Sequence, residues 1–468
     1  MLPIVLLSAF GILLLFLGFL KSRAVLLPAT LLFLLVSLAV NFIDWNKTYL
    51  YFNGMLLTDN LSMVFTAIVL GSSFMVVALS SSFMEDEAAQ PAEYYGILLF
   101  SLVGAIMMIG FENLIMLFVG VEILSVAMYV LTGSDKRNLR SNEAALKYFL
   151  MGAFATGIML FGMALLYGAT GSFTLAGIRA YAVNPQVGLS LLFYVGLLML
   201  LIGLLFKVSA APFHFWTPDV YDGAPTLFTA FMSTVVKTAG FAALLRLLSV
   251  SFGGVYTFWW TILAIITALT LVAGNITAVY QNSFKRMMAY SSISHAGYLL
   301  IGLAALGQQT KQAIVFYSLA YSVATIAAFG VLLLVARQRN AETITSEGNS
   351  SESFDAFNGL ARQNPLLGFA MTVSMLSLAG IPLTAGFWGK FYMFSTAVER
   401  GQIWLLVVAV LMSAVGIYYY FRVIIAMYFR EGATAPIRVA PFYQYVLVVA
   451  TLLTIGLGIA PGLLEGLF

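Results

Sequence analysis

Residues 200–240, LLIGLLFKVSAAPFHFWTPDVYDGAPTLFTAFMSTVVKTAG, decide the fold of this chain. An apolar helix carries Lys207, is interrupted at Pro212, turns through polar residues and becomes apolar again toward Lys237. A lysine at mid-bilayer depth costs roughly 2.5–3.5 kcal/mol on insertion scales, so lysines at that depth usually face a protein interior or a hydrated cavity and have a function there. The stretch therefore predicts a broken membrane helix followed by a second helix, with a buried lysine in each.

The composition of the whole chain supports a membrane protein. Of its 468 residues, 62% are hydrophobic and 9% are charged, which predicts an all-α polytopic membrane protein. The absence of cysteine excludes disulfides, thiolate iron-sulfur clusters and c-type haem, and two histidines leave little for metal or haem ligation. The net charge is +3, and the basic residues form no cluster with interleaved aromatic residues, so nothing indicates nucleic-acid binding. We expect no redox centre and no metal site in this chain.

Apolar windows of about 20 residues predict about fourteen transmembrane helices. The first is expected to be a retained helix that begins outside. The predicted spans are residues 2–20, 24–43, 60–83, 94–111, 114–132, 142–168, 188–211, 226–248, 257–281, 286–305, 311–336, 365–396, 402–429 and 441–464.

Positive charge is distributed unevenly between alternate loops. One side carries thirteen Lys and Arg residues against five on the other, which places the first side in the cytoplasm and both termini outside. The polar stretch 337–362 is interpreted as a cytoplasmic linker. The thirteen are Lys21, Arg23, Lys136, Arg137, Arg140, Lys285, Arg286, Arg337, Arg339, Arg362, Arg422, Arg430 and Arg438, and the five are Lys47, Arg179, Arg246, Lys311 and Arg400.

A weak internal repeat relates two parts of the chain. AALKYFLMGAFATGI in the sixth span resembles QAIVFYSLAYSVATIA in the eleventh, and the seventh and twelfth spans are both interrupted by Pro and Gly. Copies five spans apart enter the bilayer in opposite directions, as in many transporters. We predict two inverted five-helix repeats with broken seventh and twelfth helices. The predicted division is a three-helix segment 1–93, a first repeat 94–248, a second repeat 257–430 and a C-terminal helix 441–468.

Four ionisable residues lie in the middle of predicted spans: Glu122, Lys207, Lys237 and Lys390. In hydrocarbon a lone lysine tends to lose its proton and a lone glutamate to gain one, whereas bringing them together restores both charges. A lysine that alternately meets and leaves a glutamate can therefore carry protons. Two structural alternatives remain open: Glu122 and Lys207 could form a fixed ion pair, and the other two lysines could extend to an interface.

Five further residues are singled out, three as possible relay residues and two as helix breaks. Lys147 near the start of the sixth span and the histidines His214 and His295 are possible relay residues, although each histidine could equally be a packed structural group. Pro212 and Pro382 mark helix breaks, and the backbone that they open is tolerated at membrane depth only against protein or water.

The segments KVSAAPFHFWTPDVYDGAPT, TVVKTAG and KRMMAYSSISHAGY resemble the signature of the antiporter-like membrane subunits of respiratory complex I, over essentially the whole chain. The VYDGAPT segment is most similar to the N-type subunits, and Lys390 occupies a position where M-type subunits have glutamate. Because the sequence ends after its fourteenth predicted span, we expect no lateral helix of the L-type.

The resemblance implies a proton-translocating subunit of NADH:quinone oxidoreductase in the bacterial inner membrane. It implies a coupled pair Glu122 and Lys207, a central relay Lys237 and a terminal proton-exchange residue Lys390. Flavin, iron-sulfur clusters and quinone are then expected in partner subunits. The expected neighbours are another antiporter-like subunit, small membrane subunits and the lipid bilayer, with protons as the transported species.

Two other classes of function remain open from the residues. The same fold and lysines would serve a sodium/proton antiporter or a subunit of a membrane-bound hydrogenase, and the chain could also be a non-transporting structural subunit. Co-purification with flavin and iron-sulfur subunits would distinguish a complex I subunit from the first alternative. Charge-neutralising variants would distinguish both of these from a structural subunit.

Overall fold

A computed structural model of the protein describes residues 1–20, 22–80, 90–184, 188–343, 352–432 and 437–463. Within these ranges the regular secondary structure consists of helices and one antiparallel hairpin of two strands. The elements are α1 Leu2–Leu17, α2 Leu26–Asn41, β1 Tyr49–Tyr51, β2 Leu56–Thr58, α3 Asn60–Ala78, α4 Pro91–Gly110, α5 Leu114–Thr132, α6 Leu139–Thr170, α7 Leu175–Ala182, α8 Leu191–Lys207, α9 Trp216–Gly223, α10 Thr226–Val250, α11 Tyr256–Val279, α12 Phe284–Ala305, α13 Thr310–Thr343, α14 Pro365–Ala379, α15 Ala385–Glu399, α16 Ile403–Phe429 and α17 Pro441–Ile459.

The helices are membrane-type in length and composition, which confirms the predicted all-α membrane fold. In the described ranges, ten helices are long and apolar enough to cross a bilayer, and α1, α8 and α14 are shorter apolar helices. The polar helix α12 is not among the ten, and the predicted twelfth span consists of two separate helices, α14 and α15. The count of fourteen spans therefore stays a prediction.

Equivalent pairs of helices pack together in the two predicted repeats. The helix α4 packs on α5 and α10, and α11 packs correspondingly on α12 and α16. Glycine permits the closest approach in both places: a Cβ atom on Gly104 would lie 2.6 Å from the backbone N of Leu124, and one on Gly274 would lie 2.6 Å from the backbone N of Ser294. This packing is what a repeat requires, while the inverted relationship itself stays a prediction.

Two of the long helices, α10 and α13, are almost completely buried. The most apolar window of α10 is completely buried and that of α13 is 89% buried, whereas those of α2 and α16 are only 28% buried. The helix α10 contains a π-helical turn, Met232–Val236, which ends directly before Lys237. The peripheral helices expose large apolar side chains, as expected for surfaces that face lipid or a neighbouring subunit.

The loop cations used for topology do not all lie in loops. Lys285 and Arg246 are 3% and 4% exposed and belong to α12 and α10. The charge count places both in loops, because hydropathy windows do not show where a helix end is buried by its neighbours. The predicted linker 337–362 is also partly helical, since α13 continues to Thr343 and a short 3-10 helix, Phe354–Phe357, follows. Lys21 and residues 344–351 of the linker lie outside the described ranges.

Candidate functional site

Lys207 is the last residue of α8 and is almost completely buried, with 3% exposure. Its Nζ atom donates hydrogen bonds to Oγ of Ser125 in α5, at 2.8 Å, and to the hydroxyl of Tyr148 in α6, at 3.3 Å. The Tyr148 ring is in turn stacked on Trp216 of α9, with ring centroids 4.5 Å apart. Three helices therefore place neutral oxygen and aromatic groups around this ammonium group.

The helix break after Lys207 leaves backbone groups that other elements satisfy. The backbone N–H of Ala211 donates to Thr270 of α11 at 2.9 Å, and the indole N–H of Trp216 donates to the carbonyl of Phe206 at 3.0 Å. Pro212 lies at the exposed side of the break. The half-buried ring of His214 stacks on Phe215, and its buried Nδ1 has no hydrogen-bond partner among the described residues. His214 is thus not joined to the other candidate residues.

Glu122 and Lys207 are close in the fold but do not form an ion pair in this structure. Glu122 is half-buried in α5, and its Oε1 atom is buried without a hydrogen-bond partner in the described part of the chain. The ammonium group is instead held by Ser125, which lies one helical turn after Glu122. The arrangement corresponds to the separated form of the predicted pair, and its exchange with a paired form stays a prediction.

Lys237 is held by α12. It is 3% exposed, and its Nζ atom donates to both the backbone carbonyl and Oγ of Ser292, each at 2.5 Å. The π turn before Lys237 adds an extra residue to one turn of α10, and such turns are frequent at functional sites. The expectation of a buried central lysine agrees with this position.

His295 occupies the middle of α12 and links two tyrosines. Its Nδ1 atom is 2.7 Å from the hydroxyl of Tyr317 in α13, and its Nε2 atom is 3.0 Å from the hydroxyl of Tyr420 in α16. Tyr420 also lies 2.5 Å from Oγ of Ser291, one turn before the histidine. Both ring nitrogens are therefore engaged, one as donor and the other as acceptor when the ring is neutral.

Lys390 lies in α15 directly beyond the second helix break at Pro382. It is 5% exposed and donates to the carbonyl of Ala379 at 2.8 Å and to Oγ of Ser413 in α16 at 2.9 Å. Its Nζ atom is 4.7 Å from the ring centroid of Tyr298, which lies one turn after His295 in α12. Polar residues of α12, including His295, thus lie between Lys237 and Lys390.

Lys147 belongs to a different environment. It is partly exposed, and its Nζ atom is 2.7 Å from carboxylate oxygens of both Glu143 and Asp219. Arg286 of α12 binds the second oxygen of Asp219 at 2.9 Å. These charges line a solvent-open cavity on the predicted cytoplasmic side, and Tyr148, the next residue of α6, connects this region to Lys207.

Several buried hydroxyl groups in α12 and α13, and one in α9, have no protein partner among the described residues. Because buried polar groups are normally hydrogen-bonded to protein or to ordered water, such groups mark positions suited to water. They are those of Tyr221, Tyr298, Ser318, Ser322 and Thr325.

The partners of the lysines are the residues that sequence reasoning missed. Ser125, Tyr148 and Ser413 each bind a buried lysine, yet serine and tyrosine are common in membrane helices and carry no signal of their own. Tyr148 and Tyr317 occupy matching positions of the two repeat copies, so the repeat alignment contained a signal for these two residues.

Comparison with known proteins establishes the class to which this chain belongs. Residues 112–416 match the family model described as "NADH:quinone oxidoreductase/Mrp antiporter, TM". The chain belongs to this family of antiporter-like membrane subunits.

Within the family, similar relatives include N subunits of NADH-quinone oxidoreductase. That of Trichlorobacter lovleyi is 44% identical over 85% of this chain and 81% of its own length, and that of Flavobacterium psychrophilum is 40% identical over 97% of each. A chain in the structure of respiratory complex I from Thermus thermophilus with bound aureothin superposes with a TM-score of 0.83, at 37% identity over 99% of each chain. The predicted resemblance to the N-type subunits of complex I is confirmed.

Proposed function

We propose that this chain transfers protons through the membrane arm of NADH:quinone oxidoreductase by way of Lys207, Lys237 and Lys390, coupled to quinone reduction in partner subunits. The observation that carries the proposal is the chemistry around these lysines. Each is at most 5% exposed, and each is bound by hydroxyl or carbonyl oxygens without a carboxylate. A buried cation without a counter-charge is poorly stabilised, so each of these groups can give up a proton at a small cost.

Other buried cations of the chain are different. Arg246 binds Asp59 and Glu112, and Lys285 binds Glu352. Those cations have carboxylate partners, as expected of structural ion pairs. The contrast supports a transport role for the three lysines that have none.

Glu122 is proposed to control Lys207. A shift of about one helical turn by either side chain would exchange the Ser125 contact for an ion pair, and Coulomb attraction is strong at the low effective dielectric of a membrane interior. In the paired form Lys207 keeps its proton, and in the separated form it passes the proton toward Lys237. The hydroxyl groups beside α12, together with His295, would then connect Lys237 to Lys390.

Partner subunits are proposed to cover the two helix breaks and to hold the flavin, iron-sulfur clusters and quinone. Phe215 and Leu383, which lie in the breaks, are 70% and 71% exposed on this chain. Non-helical backbone at membrane depth is tolerated only against protein or a water-filled cavity. We place the chain in a bacterial inner membrane with both termini outside, as the loop charges indicate.

The test uses the whole complex reconstituted in proteoliposomes. We expect Lys237→Met to assemble and to lower the number of protons transferred per electron pair. Lys311→Met is the matched control, because this side chain is exposed at the start of α13. An unchanged proton-to-electron ratio in Lys237→Met would overturn the proposed role.

A further inference from the structure

The start of α12 binds the end of α9 and the residue that follows it. Oγ of Ser283 donates to Asp222 at 2.9 Å, Nζ of Lys285 donates to the carbonyl of Ala224 at 2.6 Å, and Arg286 binds Asp219 at 2.9 Å. Three side chains at one helix start therefore bind one short segment, residues 219–224.

Lys285 is the most buried of these groups and has its own counter-ion. It is 3% exposed, and its Nζ atom lies 3.0 Å from Oε1 of Glu352. The same carboxylate oxygen accepts a hydrogen bond from the hydroxyl of Thr226, the first residue of α10, at 3.2 Å. Glu352 thus joins the start of α10 to the start of α12.

Backbone pairing fixes Glu352 in this position. Its carbonyl accepts from the N–H of Phe284 at 2.9 Å, and the following residue, Ser353, forms an isolated antiparallel bridge with Ser283. The carboxylate is therefore held on both sides, by its own backbone and by Lys285. A cation and an anion fixed in this way form a rigid connection between two helix starts.

The same two helices meet again deeper in the membrane, where Lys237 of α10 binds Ser292 of α12. Between the two contacts α10 contains the π turn, where its backbone departs from regular α-helical hydrogen bonding. The contact of Lys285 with Ala224 thus limits movement of α10 along α12 on the cytoplasmic side of that turn.

We propose that Lys285, paired with Glu352, is a positioning residue that keeps Lys237 in register with Ser292. The proposal rests on the proposed role of Lys237 in proton transfer. Lys285 itself exchanges no proton with the path, since it is bound to a carboxylate and a carbonyl on the cytoplasmic side.

The test compares Lys285→Met with Lys237→Met in the whole complex in proteoliposomes. We expect Lys285→Met to lower the proton-to-electron ratio to that of Lys237→Met, while quinone reduction in the presence of an uncoupler stays at the wild-type rate per assembled complex. Lys285→Arg keeps a cation that can bind both oxygens and should restore much of the ratio. Lys136→Met removes an exposed lysine from the same predicted side and should behave as wild type.

A second variant covers the case in which Lys285→Met does not assemble. Glu352→Gln keeps the size of the side chain and removes its charge, and we expect it to lower the ratio as well. If Lys237→Met lowers the ratio while Lys285→Met or Glu352→Gln pumps as wild type, the positioning role is wrong and the proposed function stands. If Lys237→Met itself pumps as wild type, both are overturned.

Discussion

Lys390 donates a 2.8 Å hydrogen bond to the carbonyl of Ala379, the last residue of α14. The final carbonyl groups of a helix have no partners within the helix and carry partial negative charge. The break after α14 therefore provides an electrostatically favourable position for the ammonium group, so the broken helix and the buried lysine are parts of one site.

Lys390→Met should leave assembly intact and lower the proton-to-electron ratio in proteoliposomes, because the end of the proposed path is lost. Lys390→Arg should restore it poorly. A guanidinium group keeps its proton at any accessible pH and needs a wider, planar set of acceptors than Ala379 and Ser413 present. Lys311→Met is the control, and wild-type pumping by Lys390→Arg would contradict a proton-exchange role.

Gly380 follows α14 directly and adopts φ +84°, where other residues are strained. A Cβ atom there would also lie 2.7 Å from Cδ of Lys390. Gly380→Ala should therefore destabilise the protein by about 1–2 kcal/mol from backbone strain alone and displace the lysine, which thermal unfolding and proton pumping would show. Gly456→Ala in α17 is the control, since no described atom outside its own turn of helix lies within 4 Å of its Cβ position. Equal behaviour of the two variants would contradict the role of Gly380.

Arg246 should be important for stability. It bridges Asp59 and Glu112 at 2.9 and 3.1 Å, and its Nε atom donates to the carbonyl of Ile109 at 3.0 Å. Removing one partner of a fully buried ion pair costs roughly 3–5 kcal/mol. We expect a smaller loss for Arg246→Met, because the side chains of Asp59 and Glu112 are 27% and 18% exposed. Thermal unfolding of the purified complex measures this loss. Arg179→Met, at an exposed position of α7, should be neutral.

The loss in Arg246→Met should depend on pH. Burial raises the pKa of Glu112, and the charge and hydrogen bond of Arg246 oppose this rise. Without Arg246 the pKa of Glu112 rises further. When a carboxyl group has a higher pKa in the folded than in the unfolded protein, the folded protein becomes less stable as the pH rises through that pKa. The difference between variant and wild type should therefore be larger at about pH 8 than at about pH 5, and a difference that shrinks with pH would contradict this interpretation.

Topology can be tested with single cysteines, because the chain contains none. Lys47→Cys, before the hairpin, and Lys136→Cys, between α5 and α6, should be labelled by an impermeant reagent from opposite sides of the membrane. Position 136 should be cytoplasmic. Both residues are exposed, so labelling should succeed without disturbing packing. Labelling of both from one side would contradict the predicted order of spans.

The sequence was sufficient to predict the membrane fold and the burial of Lys207, Lys237 and Lys390, because long apolar segments indicate membrane helices and a lysine within such a segment is a rare pattern with a clear physical cost. It was not sufficient for the partners. Ser125 and Tyr148 bind Lys207 only because α5 and α6 pack against the end of α8. The loop-charge count treats Lys285 and Arg246 as loop cations, because the sequence does not show the packing of neighbouring helices that buries them.

The structure sharpens the prediction that Glu122 and Lys207 exchange between paired and separated forms. Ser125 and Tyr148 hold the lysine in the separated form, in which Glu122 Oε1 has no partner. Ser125→Ala removes the shorter of the two hydrogen bonds and should favour the paired form. We expect this variant to assemble but to transfer fewer protons per electron pair. Ser249→Ala is the control, because the Ser249 hydroxyl donates to backbone carbonyls of its own helix α10.

Charge removal then separates a switch from a fixed ion pair. If Glu122 is only a structural counter-ion, Glu122→Gln combined with Lys207→Met removes both charges and should restore the activity that either single change destroys. A switch cannot be restored in this way, because no proton carrier remains. Moving one charge against 100 mV requires about 2.3 kcal/mol, which is comparable with about two units of pKa change at roughly 1.36 kcal/mol per unit. We therefore expect the double variant to assemble and to reduce quinone without its share of proton transfer, and a fully coupled double variant in proteoliposomes would disprove the switch.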